Sequence, residues 1–207
     1  VGKITNNSET RQQILHAALK RFAHCGYAAT SVQQIVSDAR VSKPALYYYF
    51  PDKEGLYKAL VDAAHDERYA LMQKAAERVS GLKQQLVEIL TALFDFFQKN
   101  RELMRLAFAT AFASAGEVPA GLRHRDKCER NFEFIHSLIK QGLADGVLDR
   151  RFDSRELAFG FYGQMNVYVM SYLLMPDHHP DRQTAERIVE LFFSGAARKR
   201  AEAKGTA

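Results

Sequence analysis

Apolar residues recur at helical spacing along nearly the whole chain, and the alternation that marks a half-buried strand is almost absent. Ile14, Ala18 and Phe22 form one stripe with Leu15 and Leu19 beside it. This predicts a helix over Glu9–Cys25, started by Ser8 and Glu9 and stopped at Gly26. Short helices follow over Ser31–Ala39 and Lys43–Phe50, and a longer one runs from Asp52 toward Val79. The next segments are longer still: Leu82–Lys99, Glu102–Ala113, Leu122–Leu143, Ser154–Leu174 and Asp181–Ala197, with breaks at Gly116–Pro119, Asp145-Gly146 and Met175-Pro176. The pattern predicts an all-α fold with two parts. A three-helix N-terminal domain spans residues 1–53, a larger helical domain spans 54–199, and a basic tail spans 200–207.

The segment from Thr30 to Lys53 carries the clearest local signals. Thr30 or Ser31 can cap the second helix, each with a glutamine three residues on, Gln33 or Gln34, to close a capping box. Val32, Ile35 and Val36 give that helix one apolar face. Ala39-Arg40-Val41 has room only for a turn. Ser42 caps the third helix, and Pro44 falls in its first turn, where a missing N–H costs nothing. Leu46 and Phe50 are an i, i+4 pair able to fold back onto the preceding helix. Two short helices, a three-residue turn and a shared apolar seam make a helix-turn-helix. In such a unit the second helix enters the major groove with its first residues toward the base edges. Those positions here are Lys43, Pro44, Ala45, Tyr47 and Tyr48. Lysine can bond a guanine edge or a phosphate, proline and alanine can pack on thymine methyls, and tyrosine hydroxyls can reach phosphate oxygens. Three consecutive aromatics cannot share one helix face, and Tyr49 is the one expected in the core. Lys53, at the start of the fourth helix, is expected to favour a phosphate.

With Ala17-Ala18-Leu19-Lys20-Arg21-Phe22 and Gly26-Tyr27 ahead of it, this run resembles the DNA-binding domain of the TetR family. The family's pattern is met by Val41-Ser42-Lys43, Leu46-Tyr47-Tyr48-Tyr49-Phe50 and Lys53-Glu54, over roughly the first quarter of the chain. Two positions depart from it. Arg40 stands in the turn where glycine is usual, at a site that often needs a positive φ, and Val36 stands where alanine is common. The resemblance implies DNA contacts from Thr30, Ser31, Gln33, Arg40, Ser42, Lys43, Pro44, Ala45, Tyr47, Tyr48 and Lys53. It also implies a homodimer through the last two long helices, a palindromic double-stranded operator, and repression relieved by a small hydrophobic effector. Control by a protein partner, or activation, is the alternative reading.

The last two long helices support the dimer. Phe159, Phe161, Tyr162, Met165, Val167, Tyr168, Leu173, Ile188, Val189, Leu191, Phe192 and Phe193 exceed what one core stripe needs, and Gly160 and Gly163 allow close approach. Candidate effector-lining residues are Phe94, Phe97, Met104, Phe108, Phe112, Phe134, Met165, Asn166 and Tyr168. Asn166 stands out, because an amide in the middle of an apolar helix needs a partner.

Composition changes this picture little. Lys and Arg number 29 against 24 Asp and Glu, a net charge of +5 that suits an anionic partner. Two cysteines, Cys25 and Cys128, do not make a disulfide framework and are expected as lone, inert thiols. No export signal or bilayer-length apolar run is visible, so the expected location is the cytoplasm, on the nucleoid when DNA-bound. His124 and Cys128 have metal-ligand spacing and His178-His179 lie in a loop, but neither pair clusters with further ligands, and no metal or cofactor is expected. A glycine-rich phosphate loop, a nucleophile elbow and a zinc-hydrolase motif are all missing, so no enzyme is expected.

Overall fold

A computed structural model describes residues 2–114, 117–119, 125–175, 177 and 179–196. Among these residues the regular structure is nine α-helices and no strand. In chain order they are α1 (Gly2–Ala29), α2 (Val32–Ala39), α3 (Lys43–Tyr49), α4 (Lys53–Ala76), α5 (Leu82–Lys99), α6 (Arg101–Phe112), α7 (Arg125–Ala144), α8 (Ser154–Leu174) and α9 (Arg182–Ala196). The all-helical fold is as the periodicity predicts. Helix α1 differs in starting at Gly2, ahead of the Glu9 start that Ser8 suggested. Its break falls at Gly26 (φ 78°, ψ 169°), a backbone conformation that favours glycine. The proposed start of the seventh helix at Leu122, His124, His178 and the tail from 200 to 207 lie outside the described residues.

Two compact units account for the chain. One comprises Val1–Glu67 with Asn100–Cys128, the other Arg68–Lys99 with Glu129–Ala207. The first unit is built on one apolar cluster. Ile14, Ala18 and Phe22 of α1 meet Ile35, Val36 and Ala39 of α2, Leu46 of α3, Phe50, and Leu56, Tyr57, Leu60 and Val61 of α4. Leu106 of α6 joins them. A buried polar bond links α4 to α6. The Thr110 hydroxyl donates to the Leu106 carbonyl at 2.7 Å, so the Tyr57 hydroxyl, 2.7 Å away, must donate to Thr110 Oγ1.

The second unit packs α5, α8 and α9 against one another. Leu86, Ile89, Leu90, Leu93, Phe94 and Phe97 of α5 are buried, as are Phe161, Met165 and Val169 of α8 and Ile188, Val189, Phe192 and Phe193 of α9. Helix α8 is set by a capping box. Asp153 accepts the Arg155 N–H at 2.8 Å, and Glu156 reaches back to the Asp153 N–H at 3.2 Å. Gly142 of α7 marks a close approach, since a Cβ there would collide with the Leu82 side chain.

Candidate nucleic-acid interface

The local chemistry that makes α2 and α3 is also what aims them. Ser31 accepts the Gln34 N–H at 3.2 Å and Gln34 Oε1 accepts the Ser31 N–H at 2.8 Å, closing the capping box. At the other end of α2, Arg40 takes the left-handed conformation (φ 55°, ψ 41°). The Arg40 N–H then bonds Ser37 O at 3.2 Å and the Val41 N–H bonds Val36 O at 3.0 Å. This paired closure is a Schellman motif, normally finished by glycine. Ser42 then accepts the Ala45 N–H at 3.3 Å and opens α3, with Pro44 in its first turn. A two-bond ion pair from Arg21 to Asp38 (2.5 and 2.9 Å) ties α1 to α2, and the arginine's hydrogen bond holds the Asp38 carboxyl below the usual carboxylate range.

With Leu46 and Phe50 buried, the opposite side of α3 faces outward. Lys43 and Pro44 are exposed, Ala45 is half-buried, Tyr47 is 49% exposed and Tyr48 74%. Tyr49 packs against the core cluster. Ser31, Gln33, Arg40 and Ser42 are also exposed. The surface therefore presents two cations, a set of hydroxyls and two large aromatic rings from one short, rigidly seated helix and its flanks. That combination suits phosphate and base-edge contact in a groove.

The segment from residue 14 to 60 matches the family model described as bacterial regulatory proteins, tetR family. These residues form a TetR-family DNA-binding domain. The transcriptional activator FasR of Mycolicibacterium smegmatis is 31% identical over 115 residues, which cover 56% of this chain and 52% of FasR, so the chain spans about half the length of that relative. The regulator AcrR of Shigella flexneri is 22% identical over 190 residues, covering 89% of this chain and 88% of AcrR. Among solved structures, FadR of Bacillus subtilis in complex with stearoyl-CoA shares the fold. Its TM-score is 0.76 at 19% identity, covering 89% of this chain and 98% of that one. The relatives are named as regulators, and the family is not one of enzymes.

Within this TetR-family domain two of the expected contact residues point elsewhere. Thr30 is buried, and its hydroxyl donates to the Gly26 carbonyl at 2.7 Å. Lys53 Nζ donates to the carbonyls of Tyr27 and Thr30, each at 2.9 Å, and sits 4.1 Å from the centre of the Tyr27 ring. Its ammonium is committed to the carbonyl end of α1, where a cation is favoured, and not to a phosphate. Burial lowers its pKa from the ordinary lysine value. The signal that could have found this is the free carbonyl end that Gly26 leaves behind, which needs a cationic partner.

The candidate effector residues divide between the two units. Met104, Phe108 and Phe112 belong to the first unit, the others to the second. Phe112 is 77% exposed at the end of α6. Phe94, Phe97 and Met165 are buried. Phe134 and Tyr168 are half-buried, and the Phe134 ring meets Tyr69 edge-on at 5.8 Å. Asn166 has the partner its position demands: its Oδ1 accepts from Arg68 Nη2 at 2.9 Å and its Nδ2 donates to Tyr162 O at 2.9 Å. Arg68 was not visible from the sequence, where it follows Asp66 and Glu67 and reads as one more charge on a solvated face. Cys25 and Cys128 are not joined in a disulfide, and both are exposed. Among the described residues no group of three His, Cys, Asp or Glu side chains is placed to hold a metal ion, and no helix is long and apolar enough to cross a membrane.

Proposed function

We propose that this TetR-family chain works as a homodimer that binds a near-palindromic operator through α3, and that a small apolar effector held in the second unit releases it. The observation that carries the reading is α3 itself. Leu46 is fully buried while Lys43, Tyr47 and Tyr48 stand outward on the same two turns. Ser31, Gln33, Arg40, Ser42, Pro44 and Ala45 complete the contact set. Thr30 and Lys53 support it from within by fixing the α1–α4 corner.

The dimer reading rests on α8 and α9. Phe159, Val167 and Leu174 of α8 and Leu191 of α9 are exposed, and nothing lies within 4 Å of a Cβ built at Gly160 or Gly163. An apolar, open helix face of this kind suits a second copy of itself. Two reading heads then fall about one DNA turn apart, ~34–36 Å, or a small multiple of it. The effector reading is supported by the aromatic interior of the second unit and by FadR, which was solved with stearoyl-CoA. A ligand of α4 and α8 acts on a helix that also carries Lys53 and Tyr57, so preference of the ligand for one arrangement of α4 would shift DNA binding. Activation is the second reading, favoured by the name of FasR. The place of work is the cytoplasm, on the nucleoid.

Selection of DNA fragments bound by the purified full chain tests the proposal. Enrichment of an inverted repeat supports it, and a pool with no enriched sequence overturns it. Transcription from that site with and without the chain separates repression from activation.

A further inference from the structure

Arg68 is 7% exposed and carries a guanidinium, a cation with five N–H donors and no acceptor. Its hydrogen bond to Asn166 Oδ1 meets a neutral amide. That amide cannot be turned over, because Asn166 Nδ2 is held by the Tyr162 carbonyl one turn back. The guanidinium carbon lies 5.2 Å from the centre of the Tyr162 ring, a partial compensation for the charge. Its Nε–H is sealed from solvent with no acceptor, and among the described residues no carboxylate pairs with it. A buried cation with no counter-charge destabilises a fold. A glutamine could tie α4 to α8 through the same amide without that cost, so a tie between helices does not explain the charge. An anion that arrives with a ligand does.

We propose that Arg68 binds the anionic group of the effector, which is therefore an amphiphile with a carboxylate or phosphate head and an apolar body. This deepens the effector reading above and rests on it. The body would lie against the aromatic side of the site. Tyr162 meets Phe132 edge-on at 5.5 Å, and Phe132 stacks on Phe159 at 4.5 Å. Asn166 is the positioning residue, since it fixes the guanidinium and leaves Nε for the ligand. Arg68 also lies on α4, so the charge of the ligand acts directly on the helix that carries Lys53 and Tyr57.

The test uses the full chain and three twelve-carbon probes below their micelle concentrations: laurate, dodecyl phosphate and uncharged 1-dodecanol. Binding is read by calorimetry and by the shift in melting temperature. At least one anionic probe should bind about tenfold or more tighter than 1-dodecanol, the discrimination that charge-assisted hydrogen bonds supply. Which of the two binds better identifies the head as carboxylate or phosphate. Arg68→Met should bind all three alike, yet without ligand it should melt at or above the wild-type temperature, because an uncompensated charge has gone. Arg68→Lys should keep part of the preference. Equal binding of all three probes by the wild type overturns the head-group assignment while leaving an apolar effector standing. A preference for anions that survives in Arg68→Met overturns it too, as does an Arg68→Met chain that melts lower without ligand. Binding of no probe by the wild type overturns the effector reading and this inference with it.

Discussion

Replacing Arg40 with glycine should stabilise the first unit and weaken its hold on DNA. Arg40 sits at φ 55°, ψ 41°, the left-handed region, with its N–H and that of Val41 closing α2. For a residue with a Cβ this conformation costs roughly 1–2 kcal/mol. Glycine removes that cost but makes the unfolded chain freer, which gives back about 0.5–1 kcal/mol. The net gain is about 0.5–1 kcal/mol, or a rise of a few °C in melting temperature, taking ~2–4 °C per kcal/mol for a chain of this size. Thermal and urea unfolding measure it. Arg40→Lys keeps both strain and charge and should unfold within about 0.5 kcal/mol of the wild type. On DNA the order reverses: the glycine variant lacks an exposed cation beside α3, and its salt dependence should lose about 0.9 from the slope of log K against log salt if Arg40 meets a phosphate. A glycine variant less stable than wild type would refute the argument from backbone strain. One that is more stable with an unchanged salt slope would keep the strain and remove Arg40 from the interface.

Lys53→Met should lower stability by about 2–3 kcal/mol, since two carbonyl bonds to an ammonium are lost. It should leave the salt slope of DNA binding unchanged, and a slope reduced as for Lys43→Ala would return Lys53 to the interface. Val167→Glu on the open face of α8 should turn a dimer into a monomer by sedimentation and cost most of the operator affinity; an intact dimer would move the interface elsewhere. Asp181 accepts the Thr184 N–H and hydroxyl at 2.8 and 2.9 Å, which holds its carboxyl below the ordinary value. The bond's contribution is therefore present above pH ~4 and is lost as pH falls through the depressed folded value. Melting curves of wild type and Asp181→Asn should differ near neutrality and converge in acid, and a gap that widens in acid would contradict the assignment.

What the sequence shows well is whatever depends on near neighbours. The Ser31–Gln34 box, the Ser42 cap and the Pro44 position are all set within four residues, so α2 and α3 could be read directly. The left-handed turn at Arg40 was legible for the same reason. Lys53 is misplaced because its partners lie at the end of α1, and it reaches back 26 residues to Tyr27; Thr30 bonds Gly26 only four residues away, but its burial is a property of packing. A lysine at a helix start looks like a phosphate ligand until a free carbonyl end is packed against it. Asn166 could be singled out from its apolar surroundings, but Arg68, 98 residues away, could not, because its burial is a property of packing. The aromatic residues of the larger helical domain read from the sequence formed a list of phenylalanines without a way to sort them. Phe94 and Phe112 have the same side chain, yet one is enclosed and the other stands in solvent.

The central claim is that α3 reads DNA sequence. Fluorescence anisotropy at near-physiological salt, with the selected inverted repeat and a scrambled duplex of equal length, tests it most directly. The account predicts binding to the repeat at least ~10³-fold tighter than to the scramble. Replacing Lys43 or Tyr48 with alanine should narrow that ratio. Equal affinity for the two duplexes, unaffected by either substitution, would contradict it.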